Sequence, residues 1–170
     1  VVAWDKGGAV PEAISAFRFD SAMLRDTTGR QRAVYRGTLA LTFRNHSRDF
    51  HSHEPLTRDV ISKNHIDDHH IFPNKFLERK GIQQRLRDCV LNHTYIDRET
   101  NIRISDRAPS DYIKEIRAAR GDQKFKELFH SHLLPVDAEA VVFENDDFEG
   151  FLNWREQCIF DEIKTLTGLQ

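Results

Sequence analysis

A proline directly after the apolar pair Ile71-Phe72 closes the segment His69-His70-Ile71-Phe72-Pro73, and two asparagines nine positions apart, Asn92 and Asn101, follow it. Proline has no N–H to give to a sheet ladder, so a strand over Ile66–Phe72 has to stop at Pro73. Successive strand side chains point to opposite faces, so His69 and His70 cannot do the same job in the same direction. Cys89-Val90-Leu91 leads into a second short strand that contains Asn92 and ends near Ile96. Asp97-Arg98-Glu99-Thr100-Asn101 then reads as the start of a short helix, with acidic residues in the first turn where the helix dipole favours them. The pattern predicts strand, strand and helix over 65–107, gathering two histidines and two asparagines.

The rest of the chain reads as helix. Pro11-Glu12 opens a first helix marked by Ile14, Phe17 and Leu24, and Thr27-Thr28-Gly29 breaks it. Over Ala33–Phe43, Leu39, Leu41 and Phe43 alternate like a strand, while Tyr35, Leu39 and Thr42 fit a helix, the preferred assignment. Asn45 to Lys63 is polar and reads as a loop, and 74–88 is a basic excursion with a helical turn at Lys75–Lys80. Pro109-Ser110 caps a helix closed by Gly121, Asp122 caps another ended by Pro135, and Asn145-Asp146 starts the longest, which runs to Gly168. The expected fold is a single, mainly α domain with a small two-stranded antiparallel element. Residues 1–32 are expected to form an N-terminal helical extension or a linker from an upstream domain, 65–107 the ββα core and 108–170 the C-terminal helices.

A chain of 170 residues is long enough for one sizeable core. No segment is apolar enough to span a membrane or serve as a signal peptide, which makes a cytoplasmic location the default. Cys89 and Cys158 lie far apart, form no CxxC pair and read as core residues, which argues against a zinc ribbon and against a disulfide framework. The net charge of −2 speaks against nucleic acid until its distribution is considered. Positions 136–170 carry nine acidic and two basic residues, whereas 74–107 carry eight basic and five acidic. A modest positive field beside the histidines suits a phosphate backbone, with Lys75, Arg98 and Arg103 as candidate contacts.

Phosphodiester hydrolysis requires neutralising the transition-state charge, deprotonating water and stabilising the leaving oxygen. A hard cation such as Mg²⁺ prefers oxygen ligands, of which asparagine offers one, whereas imidazole suits Zn²⁺, Mn²⁺ or Ni²⁺. A histidine with an ordinary pKa near ~6.5 is a competent base at neutral pH.

Asp68-His69-His70-Ile71-Phe72-Pro73, Leu91-Asn92, and Asn101-Ile102-Arg103-Ile104-Ser105-Asp106 with Pro109-Ser110-Asp111-Tyr112-Ile113 together resemble the HNH (ββα-metal) nuclease domain found C-terminal in GmrSD-type modification-dependent restriction endonucleases. Related domains occur in phage-defence proteins of the Ssp type. Leu133-Leu134-Pro135 and Phe151-Leu152-Asn153-Trp154-Arg155 extend the likeness over roughly 33–168. The resemblance implies a metal-dependent DNA endonuclease, in which a single site nicks one strand. Carried over by position, His69 and Asn101 are metal ligands, His70 is the general base and Asn92 braces the loop bearing it. Many relatives carry Asp where this chain has His69, which leaves the ion open among Mg²⁺, first in expectation, and Mn²⁺, Ni²⁺ or Zn²⁺. The implied partners are the DNA backbone and an upstream NTP-binding or modification-sensing domain.

Other readings compete. The fold could serve as a catalytically silent DNA-binding module, or act on RNA. His51, His53, His65 and His69 could instead hold a structural zinc, although their spacing (x, x11, x3) matches no common site. His46, His93, His130 and His132 read as surface or core residues.

Overall fold

The computed structural model describes residues 19–57 and 65–168. It is mostly helical, with one two-stranded antiparallel sheet. In chain order the elements are α1 (Ala22–Asp26), α2 (Ala33–Arg44), β1 (Ile66–His70), α3 (Asn74–Arg79), α4 (Gln84–Arg87), a 3₁₀ turn (Val90–Asn92), β2 (His93–Asp97), α5 (Arg98–Ile104), α6 (Pro109–Arg120), α7 (Asp122–Ser131), a second 3₁₀ turn (Asp137–Ala140), α8 (Val141–Glu144) and α9 (Phe148–Thr167). The helix expected from Pro11-Glu12, with Ile14 and Phe17, lies outside the described residues.

The hairpin register pairs His70 with His93, His69 with Thr94, Asp68 with Tyr95, Asp67 with Ile96 and Ile66 with Asp97. Directly opposed residues share a face, so the two faces have distinct compositions. Asp68, His70, His93 and Tyr95 face α2, where Tyr35 meets the His93 ring at 5.5 Å and Phe43 stacks on Tyr95 at 5.0 Å. Asp67, His69, Thr94 and Ile96 occupy the opposite face, with Asn101 of α5 against His69. The preferred helical assignment of Ala33–Phe43 holds, because Tyr35, Thr38, Leu39, Leu41 and Thr42 are its buried residues.

Below this hairpin the core is aromatic. Phe72, just past β1, meets Phe143, Phe148 and Phe151 at centroid distances of 6.0, 5.3 and 5.0 Å, anchoring the motif to α8 and α9. The fully buried Arg155 of α9 donates to Leu91 O at 2.6 Å and His132 O at 3.2 Å. It ties the turn before β2 to the end of α7. Cys89 is buried and Cys158 half-buried, both as free thiols.

Several boundaries differ from the sequence reading. β1 stops at His70 rather than Phe72, and Asn92 lies in a 3₁₀ turn ahead of β2 rather than in the strand. The reason is the Asn92 side chain, which takes over the pairing that a ladder would supply. Its Oδ1 accepts from Phe72 N at 2.9 Å, while Nδ2 donates to Phe72 O at 3.0 Å and Arg87 O at 2.9 Å. The excursion forms two short helices, α3 and α4. Pro109 is the first residue of α6 behind Ala108, and Asp122 is likewise the first residue of α7. α7 ends four residues before Pro135, because Leu133 turns with φ 55° and Leu134 N bonds back to Phe129 O. α9 starts later than Asn145-Asp146, since Asp147 supplies the cap by accepting from Gly150 N at 2.9 Å.

Candidate metal and catalytic site

The end of the hairpin where β1 finishes and β2 begins opens into a recess of about 290 Å³ lined by Asp68, His69, His70, Asn74, Lys75 and Asn101, among others. Alternation along β1 sends the two histidines into different environments, as their adjacency requires.

His69 is almost fully buried, and its Nδ1 lies 2.7 Å from Asn101 Oδ1. The Asn101 amide is itself oriented: its Nδ2 donates to Asp67 Oδ2 at 2.9 Å, which turns the carbonyl oxygen towards His69. α5 reaches this position because Asp97 caps it, accepting from Glu99 N at 2.9 Å. An amide oxygen only accepts, so His69 Nδ1 gives its hydrogen to Asn101 Oδ1 and the ring's lone pair lies on Nε2; an ion held by both groups would have to replace that hydrogen. One imidazole and one amide oxygen make a neutral, mixed donor set, which suits Mn²⁺, Ni²⁺ or Zn²⁺ at least as well as Mg²⁺. His69 Nε2 is buried without a partner. Burial pushes His69 down to about 4, against the opposing Asn101 bond, so the ring is neutral at pH 7.

His70 faces the other way. Its Nε2 lies 3.1 Å from Asp88 Oδ1, and Asn74 Nδ2 donates to the same oxygen at 3.3 Å. Burial, helped by the neighbouring His93, pushes His70 down to about 4 despite Asp88, so this contact is a hydrogen bond rather than an ion pair at pH 7. An ionised carboxylate only accepts, which puts the imidazole hydrogen on Nε2 and the lone pair on Nδ1.

His93 lies against His70 with ring centroids 4.1 Å apart and the rings tilted by 50°. Its Nδ1 meets Asp68 Oδ1 at 2.6 Å, and its Nε2 is buried without a partner. Asp68 also accepts from Tyr35 OH at 2.7 Å and pairs with Arg30 at 3.0 Å. Burial alone would raise the Asp68 carboxyl, but His93, Tyr35 and Arg30 outweigh it and hold the group below the usual carboxylate range. Asp88 and His93 join this candidate site, and the sequence reading singled out neither for it.

The candidate phosphate contacts divide. Lys75 is exposed and lines the recess, and Arg98 is exposed at the start of α5. Arg103 is exposed but paired with Glu115 at 2.5 Å, a carboxylate it shares with Arg107. Among the described residues, His51, His53, His65 and His69 form no joint ligand group; His70, Asp88 and His93 do. His132 is a satisfied core residue, bonded to Thr94 Oγ1 at 2.7 Å and Arg48 O at 2.8 Å.

An uncharacterized protein of Methanocaldococcus jannaschii is 28% identical over 185 aligned positions, covering 95% of this chain. The chain spans about a third of that protein's length. No family model matches the sequence, and no solved structure matches it. Among the described residues, no helix is long and apolar enough to cross a membrane.

Proposed function

We propose that this domain is a metal-dependent DNA endonuclease that nicks one strand, with His70 as the general base. The observation that carries the reading is the placement of His69, Asn101 and a neutral His70 on one recess, with His69 hydrogen-bonded to Asn101 at 2.7 Å, a bond that an ion shared by the two would replace. His69 and Asn101 would hold a divalent ion, which supplies positive charge to the phosphoryl and leaving oxygens. His70 takes the proton of the attacking water on Nδ1. Asp88 orients the ring and stabilises the imidazolium as it forms. A base with so low a pKa accepts protons weakly, but a phosphodiester in the recess brings negative charge that raises it. Asn92 fixes the backbone at Phe72, so the turn that follows His70 cannot drift. Lys75 and Arg98 meet phosphates, positioning the strand without reading bases. An NTP-binding or modification-sensing partner domain would choose the target, and a DNA substrate places the activity in the cytoplasm.

Plasmid nicking by purified protein across Mg²⁺, Mn²⁺, Ni²⁺ and Zn²⁺ tests the reading. His70→Ala is expected to lose roughly 10²–10⁴ in rate with its thermal midpoint nearly unchanged. Wild-type-like cleavage by that variant would remove the assignment, and DNA binding without cleavage by the wild type would favour a silent binding module.

A further inference from the structure

On the face of the hairpin opposite the His69–Asn101 pair, three ligand-type side chains converge. The ligating atoms of His70, Asp88 and His93 all lie within 4.8 Å of one another, and His70 Nε2 is already 3.1 Å from Asp88 Oδ1, so that an ion between them would take the place of the Nε2 hydrogen and leave the ring's hydrogen on Nδ1. His93 is only 2% exposed and has its Nε2 buried without a partner. An orphaned buried nitrogen costs free energy, so its persistence calls for a reason. The other side of the same ring supplies one. Nδ1 gives its hydrogen to Asp68, which Tyr35 and Arg30 hold ionised, and in the neutral ring this leaves the Nε2 lone pair free. A ligating imidazole characteristically bonds a carboxylate through its other nitrogen in this way. Asn74 steadies Asp88 from the recess side.

We propose that His70, Asp88 and His93 form a second cation site, selective for a borderline transition ion such as Zn²⁺, whose occupation takes His70 out of catalysis. Two imidazoles and one carboxylate on a tetrahedral ion is a donor set that zinc favours and Mg²⁺ does not. Tetrahedral ligands at about 2.0–2.1 Å lie roughly 3.4 Å apart, so the widest separation has to close by up to about 1.4 Å through side-chain rotation. The two faces of the hairpin thus divide the ions: the His69–Asn101 pair serves the working ion, and the second set turns a rise in free zinc into inhibition. The inhibition rests on the nuclease reading, whereas the binding does not.

Titration with Co²⁺, followed by its visible d–d absorption and by calorimetry, reads the site directly. The wild type is expected to develop an intense tetrahedral spectrum that Zn²⁺ displaces and excess Mg²⁺ does not, and His69→Ala should keep it. His93→Gln should abolish it. Asp88→Asn, at a half-exposed position that folding tolerates better, should weaken it at least about tenfold, and Asp68→Asn should cost about 10–100-fold through the orienting bond alone. In nicking assays run in Mg²⁺, Zn²⁺ should inhibit the wild type, and His93→Gln should resist relative to its own rate without zinc. Absence of the tetrahedral spectrum in the wild type, or its retention in a folded His93→Gln, overturns the proposal. An intact spectrum with no nicking under any ion would sink the nuclease reading and leave the site standing.

Discussion

At the scale of single residues, the two histidines of β1 show how one step along a strand separates two chemistries. His69 looks to α5 and Asn101, and His70 to Asp88 and His93. Their adjacency is legible in the sequence because side-chain alternation along a strand is fixed. Their partners are less so. Asp88 lies 18 positions after His70, just past α4, a four-residue helix too short to leave a periodic mark, whereas the turn expected at Lys75–Lys80 is α3. His93 could have been found only by knowing the hairpin register, which pairs it with His70. In the proposed reading the His69 position also sets the ion. Replacing imidazole by carboxylate hardens the donor set, so His69→Asp is expected to shift nicking from Mn²⁺ or Ni²⁺ towards Mg²⁺. Rates across the same ions, with calorimetric affinities, check this; an unchanged metal profile would mean that His69 is not a ligand.

At the scale of elements, the helix that carries Asn101 is held by a residue far from the motif. Asp49 is buried in the loop after α2. Its Oδ2 accepts from His51 N and Ser52 N, both at 2.8 Å, and from Thr100 Oγ1 at 2.6 Å, while Oδ1 accepts from Asp97 N at 2.7 Å. Burial raises its pKa, but the bonds from Thr100, Asp97, Ser52 and His51 outweigh this and hold it below the ordinary value. Nothing in the sequence marked Asp49, since 45–63 reads as a polar loop and a single Asp has no periodicity. The helices were legible because their apolar stripes repeat, whereas their starts were misplaced where a cap one residue upstream or a proline at the first position decided the boundary. Asp49→Asn is expected to cost about 3 kcal/mol, since bonds to an ionised group are the stronger kind, and to weaken metal affinity by loosening α5. The sign of the pH effect follows from the depressed pKa. The ionised group contributes stability above its unfolded value near ~3.9, and that contribution is lost as pH falls through the lower folded value. Urea unfolding should therefore show a constant gap between wild type and variant from pH 7 to about 4.5, closing only in stronger acid. Equal stabilities at pH 7 would rule out Asp49 as the tie.

At the scale of the whole molecule, the net charge of −2 hides a division that the fold keeps. The acidic excess of 136–170 sits largely on α9 and the segment leading to it, and part of it is spent on pairs: Glu149 and Glu156 with Arg25, Glu162 with Arg44. The recess lies instead among 65–107, where several of the eight cations of 74–107 are likewise committed. Arg79 pairs with Asp106 at 2.5 Å, Arg103 and Arg107 share Glu115, and Arg85 pairs with Asp26. A cation that already has a carboxylate neighbour offers a phosphate little net charge, so counting basic residues along the sequence overstates the field. Lys75 beside the recess and Arg98 at the start of α5 are the stronger candidates, and a DNA backbone is expected to run past both and avoid α9. Each phosphate contact removed should lower the slope of log affinity against log salt by about 0.9. Lys75→Ala and Arg98→Ala should each produce that loss on every DNA sequence alike, whereas Arg103→Ala should leave the slope nearly unchanged because Arg103 is already committed to Glu115. Anisotropy titrations of a labelled duplex from low to moderate salt measure it. A full unit lost in Arg103→Ala, with none in Lys75→Ala, would place the backbone on the α5–α6 side of the motif and away from the recess.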